Sequence, residues 1–165
     1  MTLVRRFARP MLSSMFISGG INALKSAEGH AQAAEPVIDK LHPAIDKATE
    51  PLPFDLDSKQ LVQINGVVQV VGGLMLATGK FPRLSSLVLA ASLVPTTLAG
   101  HRFWEESDPK VKAQQRVHFF KNVSMLGGLI LASVDTEGKP SVAWRAKRAA
   151  RHAGHRVADA NPLSS

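Results

Sequence analysis

Charge is segregated along this chain, and that segregation limits what it can fold into more than any other property. Four stretches are almost free of ionised side chains: residues 10–24, 61–79, 84–100 and 117–134. Acids and bases crowd into what lies between them. A helix needs about 20 mostly apolar residues to cross a bilayer core, with roughly 17 as the lower end. Residues 61–79 meet that length outright, and 84–100 and 117–134 lie near its limit. The first stretch reaches it as residues 5–24, provided Val4 and Phe7 continue the helix and Arg5, Arg6 and Arg9 sit among headgroups. The competing architecture is a soluble four-helix bundle, which needs a polar face on every helix. Across residues 67–77 only Gln69 is clearly polar. The expectation is therefore an all-α, four-helix transmembrane bundle over residues 1–135, followed by a basic tail over 136–165.

The distribution of Lys and Arg sets the orientation, because cytoplasmic segments carry the excess. With both termini cytoplasmic, the inner segments hold Arg5, Arg6, Arg9, Lys80, Arg83, Lys139, Arg145, Lys147, Arg148, Arg151 and Arg156. The outer loops hold fewer bases over longer stretches, and the first of them also carries Glu28, Glu35, Asp39, Asp46, Glu50, Asp55 and Asp57. The bias has one sign and supports four spans with both ends inside. Ala31-Gln32-Ala33 loosely fits the cleavage site of a signal peptide. That site lies beyond Lys25 and Glu28, and the preceding stretch is interrupted by Gly19, Gly20 and Asn22, so residues 5–24 are read as a span.

A net charge of +7 usually prompts a nucleic-acid reading. Here the bases are gathered on no recognition helix, and no nucleic-acid partner is expected. Arg145, Lys147, Arg148 and Arg151 instead form a membrane-surface tail, with Trp144 as an interfacial anchor. Each base near an anionic headgroup contributes about 1 kcal/mol. The chain has no cysteine, which excludes disulfides, zinc–thiolate sites, iron–sulfur ligation and thiol nucleophiles.

The stretch 26–59 is too long for a plain connector. It repeats Pro-Val-Ile-Asp-Lys at 36–40 as Pro-Ala-Ile-Asp-Lys at 43–47, with Val37, Leu41, Ile45 and Ala48 on one helical face. Two readings stand: two short helices broken at Pro43 and lying over the outer mouth of the bundle, or a solvated loop with some helix. Pro51 and Pro53 end this element in either case.

Within the spans, Gly19-Gly20, Gly72-Gly73 and Gly127-Gly128 read as helix-packing contacts, since small residues let backbones approach in lipid. Pro95 is expected to kink its helix, with Thr96 and Thr97 available to the freed carbonyls. The polar residues fall at one level, the outer leaflet: Asn22 and Lys25, Asn65, His101, then His118, Lys121 and Asn122. His118, Lys121, Asn122 and Met125 share one helical face. Polar groups at such depth are costly unless they face the bundle interior or water, so they outline a pocket. The alternative is that residues near helix ends reach out to the headgroups. Two histidines could ligate haem or a metal, but no spacing motif supports it, and no metal site is expected. A Lys–Asn–His cluster suits the carbonyl oxygens of a quinone head group. No phosphate loop, nucleophile elbow or carboxylate pair is present, and no catalytic residue is assigned. Glu105, Glu106 and Asp108 are read as solvent-facing loop residues.

The segments at 72–79 (Gly-Gly-Leu-Met-Leu-Ala-Thr-Gly), 101–104 (His-Arg-Phe-Trp) and 118–128 (His-Phe-Phe-Lys-Asn-Val-Ser-Met-Leu-Gly-Gly), in this order, resemble the DoxX family. The resemblance covers roughly residues 5–135. It implies a small four-helix integral membrane protein of the bacterial plasma membrane, associated with quinone-linked redox systems or with membrane redox homeostasis. The chain would then be a quinone-contacting or non-catalytic subunit among other subunits of a redox assembly. The alternative is a membrane scaffold that recruits soluble partners through its basic tail. The long first outer loop and the tail depart from shorter members, and the missing cysteine removes any thiol relay.

Overall fold

The computed structural model describes residues 3–49, 56–136, 144, 147, 148 and 151, with the side chains of 42, 44, 45, 48 and 49 left aside. Five helices follow one another: α1 Leu3–Lys25, α2 Ala27–Thr49, α3 Ser58–Thr78, α4 Pro82–Gly100 and α5 Pro109–Val134. No strand occurs among the described residues. The chain divides into two compact units, Met1–Val134 and Asp135–Ser165, and all five helices belong to the first.

Local chemistry sets the helix ends. A capping box opens α3: Asp57 Oδ1 accepts from the Gln60 amide at 2.6 Å while Gln60 Oε1 accepts from the Asp57 amide at 3.0 Å. Gly79 closes it in the left-handed conformation, φ 72°, and Lys80 N–H reaches back to the Met75 carbonyl at 2.8 Å. Pro82, its φ already helical, then starts α4. Asp108 Oδ1 caps α5 by accepting from Lys110 and Val111 N–H at 2.7 and 3.1 Å, with Pro109 as the first helical residue. Cross-helix contacts make α1/α3, α3/α4 and α4/α5 antiparallel: Gly20 meets Gly66, Gly72 meets Leu89, and Asn122 meets Thr97.

Burial is inverted relative to a water-soluble bundle. A narrow apolar core of Phe16, Leu76, Leu89, Leu93 and Leu129 is flanked by Leu12, Ala90, Met125 and Leu126. Buried beside it are Ser13, Gln69, Ser85, Ser86, Ser92, Thr97 and Asn122, while Phe7, Met11, Ile64, Val67, Leu74, Leu87, Ile130 and Leu131 are exposed. Water would penalise that outer surface; lipid would not. α3, α4 and α5 are each long and apolar enough to cross a membrane. α1 has 23 residues but contains Arg5, Arg6, Arg9 and Lys25, and Arg9, expected among headgroups, is buried.

Two sequence expectations change. The segment after α1 is one helix, α2, with Pro36 and Pro43 inside it rather than two helices broken at Pro43. A proline inside a helix removes one hydrogen bond and kinks more often than it ends the element when packing holds both halves. Here Ala27, Ala31 and Ile38 are buried, whereas Pro36 and Pro43, seven apart, both lie on the exposed side. Pro51 and Pro53 lie outside the described residues. Pro95 is accommodated within a continuous α4, and the two threonines do not serve the carbonyl it frees, that of Ala91. Thr96 and Thr97 hydroxyls donate to the carbonyls of Ser92 and Leu93, at 2.8 and 2.7 Å, the ordinary one-turn-back bonds of Thr in a helix.

The glycines differ in what they allow. A Cβ on Gly20 would come 2.6 Å from the Gly66 carbonyl oxygen, and one on Gly73 would come 2.7 Å from Ile17 Cγ1. Gly72 and Gly128 lie against Leu89 and Leu12, at 3.1 and 3.5 Å by the same measure, and Gly19 faces Gln69. Gly127 has no heavy atom within 4 Å of such a Cβ, so the packing role expected of it has no counterpart among the described residues. Gly20→Ala is therefore expected to force α1 from α3 and to cost about 1–3 kcal/mol. Gly127→Ala should leave the thermal midpoint in detergent unchanged or slightly higher, as helix propensity favours Ala. Equal midpoints for the two variants would remove the α1–α3 approach as a stabilising contact.

Candidate functional site

A cavity of about 730 Å³ opens where the C-terminal ends of α1 and α4 meet the N-terminal half of α3, with α2 laid across them. Its walls are apolar: Val37, Ile38 and Leu41 from α2, Leu61 and Val62 from α3, Pro95 and Ala99 from α4. Asn22, Ser26, His30, Asn65, Gln69, Thr96 and His101 supply the polar atoms, and among the described residues no Asp, Glu, Lys or Arg lines it. Small-molecule sites are commonly of this size and composition, with a few convergent polar groups in an apolar shell.

The polar floor is a closed network between α3 and α4. Asn65 Nδ2 donates to Thr96 Oγ1 at 3.1 Å, and Ser92 Oγ donates to Asn65 Oδ1 at 2.7 Å. Gln69 Nε2 donates to Ser92 Oγ and Thr96 Oγ1, at 3.2 and 3.3 Å. Residues 65 and 69, and 92 and 96, are each one helical turn apart, so two amides face two hydroxyls across the interface. At the α2 side, His30 Nδ1 lies 2.8 Å from the Ser26 carbonyl oxygen, which can only accept. Nδ1 therefore carries the proton, and in the neutral ring Nε2 accepts from Asn22 Nδ2 at 3.4 Å.

The residues expected to form one pocket fall into two groups. Asn22, Asn65 and His101 line the cavity. His118 and Asn122 do share a face, but it is turned to α4 rather than to the cavity. The His118 ring stacks on His101 at 5.2 Å, and Asn122 Nδ2 donates to Thr97 Oγ1 at 3.0 Å. Thr96 and Thr97, adjacent in sequence, point to opposite neighbours, so α4 stands between the two groups. His101 bridges them: it lines the cavity, and its Nδ1 donates to Gln115 Oε1 of α5 at 2.7 Å. Lys121 is half-buried, Lys25 is exposed at the end of α1, and neither lines the cavity. Glu105 is exposed and pairs with Arg102 at 3.2 Å, whereas Glu106 is half-buried and accepts from the Ser107 and Asp108 amides. No group of three or more metal-type ligands occurs among the described residues.

Sequence reasoning passed over His30, Ser92 and Gln69 as site residues. Gln69 carried a usable signal, as the lone polar side chain of its stretch; His30 lay in what looked like a loop. Nothing marked Ser92 apart from other helical serines. Beside the site, Phe103, Trp104, Phe119 and Phe120 pack edge to face around the α4–α5 connection, with Arg116 over Phe120 at 5.9 Å. In the second unit, Arg148 lies over the Trp144 ring at 5.1 Å; Lys147 and Arg151 are helical and exposed, and Arg145 lies outside the described residues.

An all-helical protein whose helices carry apolar side chains outward and amides and hydroxyls inward has the features of an integral membrane protein. The family model of DoxX matches residues 5–102, more than half of the chain, and the protein belongs to the DoxX family. The matched region ends one residue beyond His101, so the α5 residues His118–Asn122 are outside it. Neither the curated proteins nor the solved structures contain a match.

Replacing Asn122 by Leu should remove the α4–α5 bond that Thr97 Oγ1 accepts, leaving that hydroxyl only its bond to the Leu93 carbonyl, at a cost of about 0.6–1.7 kcal/mol in a membrane interior. The expected result is a thermal midpoint lowered by a few degrees in detergent, while Lys25→Gln, at an exposed helix end, leaves it unchanged. A wild-type midpoint for Asn122→Leu would show that the α4–α5 bond contributes nothing.

Proposed function

We propose that this chain is a multi-pass subunit of a quinone-linked redox assembly in a bacterial plasma membrane. Its part there is to hold an isoprenoid quinone head group in the cavity between α1, α2, α3 and α4. The observation that carries the reading is the cavity's chemistry: apolar walls, a floor of amides and hydroxyls, and no ionised residue among the described lining. That combination suits a neutral, ring-shaped amphiphile with oxygen substituents, and a charged metabolite would lose its hydration there without a counter-charge. One Nδ2 hydrogen of Asn65 has no acceptor among the described residues and is available to a head-group oxygen. Val37, Ile38, Leu41, Leu61 and Val62 would cover the ring and the start of the chain. The quinone itself would supply the electron chemistry; the protein's residues bind and orient it and shield it from water.

In this reading α1 is the fourth span, Arg5 and Arg6 stand at the cytoplasmic surface, both termini are inside, and the cavity opens at the outer leaflet. The Lys and Arg distribution supports that orientation. The tail bases would contact anionic headgroups.

Two measurements test the proposal. Protein purified in mild detergent should release quinone on organic extraction, and Asn65→Leu should lower the amount several-fold. A quinone-free wild type, or full retention by Asn65→Leu, would move the assignment to the scaffold reading. Because the chain has no cysteine, a single introduced thiol reports topology without background. Ser107→Cys should react with an impermeant maleimide in intact cells and Ser165→Cys only after permeabilisation. The reverse pattern would overturn the orientation.

A further inference from the structure

One acceptor of the polar floor is left over. Gln69 is 5% exposed, and both hydrogens of its Nε2 are committed to Ser92 and Thr96. Its Oε1 accepts no hydrogen bond from any described residue. No side-chain nitrogen or oxygen that is fully closed off lacks a partner among the described residues, so this free oxygen is one the cavity keeps reachable.

Turning the Gln69 amide over by itself would break both of these bonds. Thr96 spends its single proton on the Ser92 carbonyl, and Ser92 spends its own on Asn65 Oδ1. Both hydroxyls can therefore only accept from Gln69, which requires Nε2 on their side and Oε1 on the cavity side. Gly19 leaves the approach to that oxygen bare: a Cβ there would stand 3.4 Å from it.

An unpaired carbonyl oxygen on a residue this buried, at the floor of an apolar-walled cavity, calls for a donor. A quinone has only acceptors at its ring oxygens, whereas its two-electron-reduced hydroquinone has two O–H groups. Resting on the proposed function above, we infer that the cavity binds the hydroquinone form in preference to the quinone, with a head-group hydroxyl donating to Gln69 Oε1. Placing a carbonyl against Oε1 would oppose two acceptors without water between them, the arrangement that sites built for a hydroxyl reject most strongly.

The test uses the full chain in lipid nanodiscs and equilibrium binding of three probes under anaerobic conditions. The probes are a decyl-substituted benzoquinone, its hydroquinone, and the dimethyl ether of that hydroquinone, which keeps the shape but cannot donate. The hydroquinone should bind about tenfold more tightly than the other two, the change expected from one buried hydrogen bond. Gln69→Leu should abolish the difference. Gly19→Ser, which sets a protein hydroxyl beside Oε1 without touching the α3–α4 network, should abolish it as well. Equal binding of quinone and hydroquinone by the wild type would overturn this inference and leave the quinone reading standing. Absence of binding by all three would overturn both. A hydroquinone preference that survives in both variants, or a dimethyl ether as tight as the hydroquinone, would remove Gln69 as its source.

Discussion

Helices that turn apolar side chains outward must satisfy their polar groups on one another, and the pairing of two amides with two hydroxyls between α3 and α4 is where this chain meets that requirement. Asn65 and Gln69 project from one turn-spaced row, Ser92 and Thr96 from another. A slip of either helix by one residue would turn these groups toward lipid, with several kcal/mol at stake for each group left unpaired. The network therefore fixes the α3–α4 register more tightly than leucine packing could, since leucines exchange partners at little cost. Asn122 with Thr97 does the same for α4–α5 through a single bond.

The cavity is a consequence of that register together with the bare backbone of α1. Gly20 and Gly66 bring α1 and α3 into direct contact, which carries Gly19 to the edge of Gln69. There a larger residue would fill part of the cavity. α2 completes the enclosure because it leaves α1 through a single non-helical residue, Ser26, with hydrogen bonds running on across the break. Its inner face then lies along the open ends of α1, α3 and α4. The two prolines cost it backbone bonds but leave that face intact, because both stand on its outer side.

Much of the site was legible in the sequence, though not its partition. Asn22, Asn65 and His101 could be placed near one depth because each sits close to the end of an apolar stretch, and depth follows directly from counting along a helix. The shared face of His118 and Asn122 was equally visible, since periodicity defines a face. Which neighbour that face meets was not visible, because rotation about a helix axis is set by packing between helices. So Thr97 could not be told from Thr96, nor the α5 group from the cavity group. α2 was partly hidden for another reason. Proline signals a break through local energetics, while burial of Ala27, Ala31 and Ile38 is a tertiary gain that local propensity does not contain.

The class can be read along the chain: segregated charge, helix-length apolar stretches and small-residue pairs permit an all-helical membrane protein and little else, because backbone hydrogen bonding in lipid has so few solutions. So can the chemical inventory, rich in amides and hydroxyls and free of thiols. Packing between helices sets which of those amides are spent on other helices and which one, Gln69, keeps an oxygen facing open space. That distinction depends on the directions of single hydrogen bonds across an interface, and no count along a chain contains them.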